Sequence, residues 1–136
     1  MPPDNTLAST IFQVAIVEHI PVLKPVDSKF FNEQAKEFNR LIKLLRRKKL
    51  FNLVIDLSGC EYISSEGLGM IAACWSWCQE KGNGCMGVVL PRTQGNEVVN
   101  LFDITGLSRT IGSALQRSVK DSITFLKKFY LQPKTS

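Results

Sequence analysis

Residues 51–69, Phe-Asn-Leu-Val-Ile-Asp-Leu-Ser-Gly-Cys-Glu-Tyr-Ile-Ser-Ser-Glu-Gly-Leu-Gly, constrain the chain more than any other stretch. Leu53, Val54, Ile55 and Leu57 form an apolar run of strand length, rich in β-branched residues. Ser58-Gly59-Cys60 supplies a turn, and Tyr62-Ile63 then leads into Ser64-Ser65-Glu66-Gly67. From Leu68 the period changes: Leu68, Ile71, Ala72, Trp75 and Cys78 fall on one helical face. A buried strand, a loop and a helix in this order place two serines at a helix start. Unpaired N–H groups and partial positive charge there suit an anion such as a phosphate. Serine is also among the best helix caps, so Ser65 reads either as an N-cap with no other task or as a functional hydroxyl.

The rest of the chain alternates in the same way. Ile11 to Val17 is apolar at nearly every position and reads as a strand. Glu18-His19 makes a tight connection to a second short strand, Ile20 to Leu23, in which Pro21 suits only a sheet edge or a strand end. Asp27-Ser28 offers cap chemistry for a helix whose apolar face is Phe31, Ala35, Phe38, Ile42 and Leu45. Gly82-Asn83-Gly84 ends the helix that follows the serines, and Met86 to Leu90 is the next strand, stopped by Pro91. Val98, Leu101, Phe102 and Thr105 mark a third helix closed by Gly106. Ser108 to Ile111 reads as a short last strand, and Ser113 opens a final helix through Leu115, Val119, Ile123 and Leu126. Strands alternating with helices imply right-handed crossovers and a mostly parallel sheet. Phe31, Phe38, Ile42, Leu68, Ile71, Trp75, Leu101 and Phe102 are the expected core.

At 136 residues the chain fits one domain: a loose arm over 1–9, a folded body over 10–128 and a tail over 129–136. It opens with no signal peptide and contains no apolar run of membrane-spanning length, which gives an expected home in the cytoplasm. Cys74 and Cys78 stand one turn apart, yet the single histidine, His19, is remote and no Cys-x-x-Cys occurs. The four cysteines therefore read as small buried hydrophobes, with no metal site. A net charge of +5 concentrates at Arg46-Arg47-Lys48-Lys49. That run closes a helix, where cations offset the dipole, and no aromatic platform for nucleic acid accompanies it. Nucleophile-elbow, Walker A and dinucleotide motifs are missing, and a Ser-His-Asp triad has only His19 to draw on. The expectation is a binding protein, not an enzyme, with no cofactor.

Val54-Ile55-Asp56-Leu57-Ser58-Gly59 and Tyr62-Ile63-Ser64-Ser65-Glu66-Gly67-Leu68-Gly69, together with Lys81-Gly82-Asn83-Gly84 and Leu101-Phe102-Asp103-Ile104-Thr105-Gly106-Leu107, resemble the STAS domain. The likeness is to the bacterial anti-sigma factor antagonists, whose motif runs Asp-Ser-Ser/Thr-Gly-Leu-Gly, and it spans roughly Thr10 to Leu126. It implies an α/β fold with a four- to five-stranded, mostly parallel sheet. By position, Ser65 matches the serine those antagonists phosphorylate. Ser64 stands where they carry Asp, and Glu66 where they carry a second Ser or Thr. The resemblance implies a partner-binding surface of Asp27, Ser64, Ser65, Glu66, Gly67 and Leu68. Its implied partner is an anti-sigma factor that is also a serine/threonine kinase, with release on phosphorylation of Ser65. The rival readings are a scaffold or sensor subunit of the same fold, and a nucleotide-binding or lipid-associated module that uses the helix start and the basic run Arg46–Lys49, neither of them phosphorylated.

Overall fold

The computed structural model describes residues 7–82, 84–93 and 95–131. Its strands are β1 (Phe12–Val17), β2 (Ile20–Pro25), β3 (Lys29–Phe30), β4 (Leu53–Asp56), β5 (Tyr62–Ile63), β6 (Met86–Val89) and β7 (Leu115–Gln116). Its helices are α1 (Asn32–Arg47), α2 (Ser65–Gly82), α3 (Glu97–Ile104), α4 (Leu107–Ile111) and α5 (Val119–Phe129). Five strands join in the order β1-β2-β4-β6-β7, antiparallel only between β1 and β2, while β3 and β5 form a separate parallel pair.

β4 is buried at all four positions, as a central parallel strand requires. Helix α1 seals one side through Phe38, Leu41, Ile42 and Leu45, and Phe12, Phe30 and Phe38 form a mutual ring cluster with centroids 5.6–5.9 Å apart. Ser122 of α5 lies over Gly87 of β6, where an added Cβ would sit 2.0 Å from its hydroxyl. Absence of a side chain there lets the helix approach the sheet.

Several expectations change. Pro21 lies at the turn end of an interior strand instead of at a sheet edge: β2 is flanked by β1 and β4, and its ladder with β4 covers only Val22 and Leu23. The missing N–H therefore costs no sheet bond. Asp27-Ser28 caps no helix. Chain segment 29–30 pairs as β3, and α1 starts only at Asn32, where Phe31 N–H donates to Gln34 Oε1 at 2.9 Å. That register turns Phe31 outward (39% exposed) and gives its expected core place to Phe30. Phe38, Ile42, Ile71 and Phe102 are buried as expected, whereas Leu68, Trp75 and Leu101 are half-buried. Residues 108–111 belong to helix α4 instead of a strand, and the final strand is β7. Helix α5 begins six residues after Ser113, capped by Ser118, whose hydroxyl accepts from Asp121 N–H. In the turn after α2, Asn83 lies outside the described residues, and Gly84 is pressed against Phe51, with an added Cβ 2.2 Å from its carbonyl oxygen. The proposed arm falls outside the described residues up to Thr6, as does the tail from Gln132; Ser9 bonds Glu37 through its hydroxyl, and Phe129 is the last residue of α5.

All four cysteines are buried and free. Burial, with Asp56 adding to it, pushes the Cys60 thiol up to about 12, and a thiol–thiol hydrogen bond with Cys78 raises Cys74. Arg46 and Arg47 occupy the last turn of α1, with the Arg46 guanidinium 5.1 Å from the Trp77 ring centroid. Among the described residues no helix is long and apolar enough to cross a membrane, and no three His, Cys, Asp or Glu side chains cluster to hold a metal.

Candidate functional site

The serine loop is placed by the short β3–β5 ladder. Lys29 pairs with Tyr62 and Phe30 with Ile63, while the Ser28 carbonyl accepts from the N–H groups of Glu61 and Tyr62. The Phe30 carbonyl then receives Ser64 N–H at 3.1 Å and Ser64 Oγ at 3.4 Å. Gly67 presses on the same carbonyl; a Cβ there would lie 2.3 Å from its oxygen and 2.5 Å from the Phe30 ring. One buried residue thus fixes the loop and the first turn of α2 together.

Ser64, not Ser65, caps that helix. Its Oγ accepts from Gly67 N–H at 3.1 Å, and its carbonyl takes the first helical bond, from Leu68 N–H at 2.9 Å. The sequence reading put the cap at Ser65 because serine suits either place; the helix opens one residue earlier, where the bonds to Phe30 hold Ser64. Ser65 is consequently the first helical residue. It is exposed, and its hydroxyl has no partner among the described residues. Glu66 is the second helical residue, also exposed, where the dipole favours its carboxylate.

Two open grooves flank this turn. One, of about 860 Å3, runs between α2 and the α3–α4 segment and is lined by Ser64, Ser65, Leu68, Ala72, Glu97 and Leu101, among others. Among the described residues no lysine or arginine lines it. The other, of about 530 Å3, is lined by Lys29, Phe31, Glu33, Tyr62, Ser64 and Glu97. Phe31 and Tyr62, 39% and 50% exposed, stand beside the loop as an aromatic flank, with Lys29 Nζ 5.8 Å from the Phe31 ring centroid. Asn96 ties α3 to this end of the sheet by donating to the Cys60 carbonyl at 3.1 Å.

Ser64, Ser65, Gly67 and Leu68 thus meet at one turn, with Gly67 buried as a spacer. Asp27 is exposed, one residue before the Ser28 carbonyl that bonds the loop, and has no side-chain bond among the described residues. Sequence reasoning missed Lys29, Phe31, Tyr62 and Glu97. The first three depend on β3, a two-residue strand whose partner lies 33 positions later, and local periodicity carries no trace of it. Glu97 has a usable local signal, as the residue after the Asn96 cap, but nothing that joins it to Ser64.

No family model matches the chain, and no curated protein matches it in sequence. Solved structures do. An anti-sigma factor antagonist from Mycobacterium paratuberculosis aligns with a TM-score of 0.71 and 24% identity, over 93% of this chain and 97% of that one. A putative anti-sigma factor antagonist from Thermotoga maritima gives 0.69 and 20%, over 87% and 96%. The Bacillus cell fate determinant SpoIIAA in its phosphorylated form gives 0.61 and 10%, over 84% and 97%. At these identities the likeness is one of fold: the chain has the STAS fold.

Proposed function

We propose that this protein is an anti-sigma factor antagonist: it binds an anti-sigma factor through the turn at Ser64–Leu68 and is released when that partner phosphorylates Ser65. The observation that carries this reading is the division of labour between the serines. Ser64 is half-buried and its Oγ is engaged as the cap, whereas Ser65 presents an exposed hydroxyl with no partner among the described residues. A kinase supplies base, metal and nucleotide, so its substrate has only to present such a hydroxyl in a fixed place. Ser65 Oγ takes the γ-phosphoryl group of ATP, ADP leaves, and the kinase removes the hydroxyl proton.

The consequence for binding follows from charge. Phosphate adds about −1.5 to −2 charges. It arrives on a face that already holds Glu66 and Glu97, beside the α2–α3 groove, which no basic residue lines among those described. A partner that covers the α2–α3 side of this face must desolvate the added charge where the described lining offers no counter-ion, Lys29 standing in the other groove. Leu68, Leu101 and the outward Phe31 and Tyr62 supply apolar contact area for the unphosphorylated complex. Asp27, near the loop, belongs to the same partner surface. The action is binding in the cytoplasm, not catalysis.

The test is affinity for the cognate anti-sigma factor, measured by calorimetry. Ser65→Ala should bind like the parent protein and accept no phosphate. Ser65→Asp should bind at least about tenfold more weakly, roughly 1.4 kcal/mol. Unchanged affinity for Ser65→Asp would leave a scaffold of the same fold as the better reading.

A further inference from the structure

We propose that the outer edge of β1 pairs with the same edge of a second copy of this chain, antiparallel and centred on Ala15, to form a twofold dimer. β1 is the first strand of the sheet order and, among the described residues, pairs only with β2. Its six residues, Phe-Gln-Val-Ala-Ile-Val, contain no charge and no proline, so the usual protections of an edge strand are missing. Ile16 and Val17 are 56% and 36% exposed.

The hairpin turn fixes which backbone groups face outward. Glu18 and His19, at φ 50° and 70°, make a two-residue turn of the primed kind. Val17 and Ile20, which flank it, therefore exchange hydrogen bonds, and alternation extends this to the facing pairs Ala15–Val22 and Gln13–Lys24. Pro21 and Pro25 oppose Ile16 and Phe12, the positions where β2 owes β1 no N–H. Phe12, Val14 and Ile16 consequently point their N–H and C=O away from β2. Phe12 N–H is taken by Ser9 Oγ at 3.1 Å. Val14 and Ile16 are left with four outward groups that meet no partner among the described residues.

Only one register satisfies all four. With Ala15 on the twofold axis, Val14 faces the second copy's Ile16 and Ile16 faces the second copy's Val14, each pair exchanging both bonds. Centring on Val14 would set Ile16 against a Phe12 whose N–H is engaged. Centring on Ile16 would set Val14 against Glu18 in the turn. Val14 and Ile16 lie on the Phe12 side of the sheet, beside a groove of about 590 Å3 lined by Leu7, Ser9, Val14, Ile16 and Val26. Two β-branched Val–Ile pairs would close on it. On the opposite face Ala15 meets its own copy in the closer, non-hydrogen-bonded type of pair, which a methyl side chain fits.

Charge and area set the strength. The strand is neutral, and Glu18 at its end is bonded to Lys127 at 2.6 Å, so pairing brings no like charges into direct opposition. Each copy carries a net +5, a longer-range repulsion that salt screens. One strand edge covers less than the ~1,200 Å2 at which stable interfaces begin. The dimer is therefore weak, dependent on concentration and strengthened by salt. Residues 1–6 are a poorer occupant of the edge, because Pro2 and Pro3 lack donors. The edge groove shares no lining residue with the two grooves at the serine turn, so self-association and phosphorylation are read separately.

Sedimentation of the full chain from micromolar to millimolar concentration tests the proposal. The average mass should rise from 15.2 kDa toward twice that value, more so at higher salt, and Ile16→Lys should stay at 15.2 kDa with an unchanged circular dichroism spectrum. Ala15→Cys, oxidised with diamide, should yield a disulfide-linked dimer. Gln13→Cys alone should not, but mixed with Val17→Cys it should, because those positions face each other in this register. A monomer at every concentration would overturn the proposal, as would a dimer indifferent to Ile16→Lys. So would cross-linking of Gln13→Cys to itself, or a dimer that appears only when residues 1–6 are removed.

Discussion

In the five-stranded sheet, β4 is covered on both faces and paired on both edges, and all four of its residues are buried. In the β3–β5 pair, two residues face two, Tyr62 and the adjoining Phe31 turn to the surface, and the backbone runs directly into the exposed Ser65. The first region is held by many redundant contacts. The second depends on Phe30, whose ring anchors it in the core and whose carbonyl holds Ser64 and crowds Gly67. A turn built this way can stay exposed without being loose, because one buried residue transmits the rigidity of the core to it.

Removing that residue should have the largest effect. Phe30→Ala should cost about 3–5 kcal/mol in urea unfolding. Phe31→Ala, its neighbour, should cost less than about 1 kcal/mol. Comparable losses at both would mean that the ladder does not separate core from surface there. Next comes the close approach at Gly67. An alanine Cβ would collide with the Phe30 carbonyl, and overpacking of this kind costs about 1–3 kcal/mol, beyond the gain of about 1 kcal/mol in helix propensity. Gly69→Ala, with nothing within 4 Å, should instead stabilise α2 by about 0.5–1 kcal/mol. Thermal melts of the two variants should therefore shift in opposite directions.

The serines differ less. Ser64→Ala loses the cap and should cost about 1 kcal/mol, whereas Ser65→Ala should stay within about 0.5 kcal/mol. Equal costs in chemical denaturation would return the cap to Ser65. The smallest effect belongs to the sheet side, at Glu37. The Arg40 guanidinium lowers its carboxyl below the ordinary 4.5, partial burial opposes this, and the Ser9 hydroxyl assists. A lowered carboxyl stabilises the fold above the unfolded value and loses that contribution as pH falls through the folded one. Glu37→Gln should thus cost less than about 1 kcal/mol near neutral pH, and the difference from the parent should close below about pH 4.5.

The contrast between the regions also explains what the sequence made legible. β4, α2 and the turn at Ser64–Gly69 advertise themselves by local period and composition, and the STAS architecture is what the resemblance of these motifs to that family implies. Apolar spacing located α1 and α3, but not β3. Adjacent phenylalanines at 30 and 31 satisfy a strand or a helix equally well, and only the distant Tyr62–Ile63 segment decides between them. The same long-range pairing moved the cap from Ser65 to Ser64. In the last third, the α4 turn and β7 are too short for any period to register, so the pattern at 108–111 suits a strand as well as a helix and does not mark where α5 starts. Local pattern therefore singled out the turn, while the bonding of its two serines depends on a carbonyl 34 residues away.

The proposed division of roles is tested most directly by site-resolved mass spectrometry after incubation with the proposed partner kinase and ATP. One phosphate should appear, on Ser65, and should vanish in Ser65→Ala while persisting in a folded Ser64→Ala. Phosphate on Ser64, or on neither serine, would contradict the account.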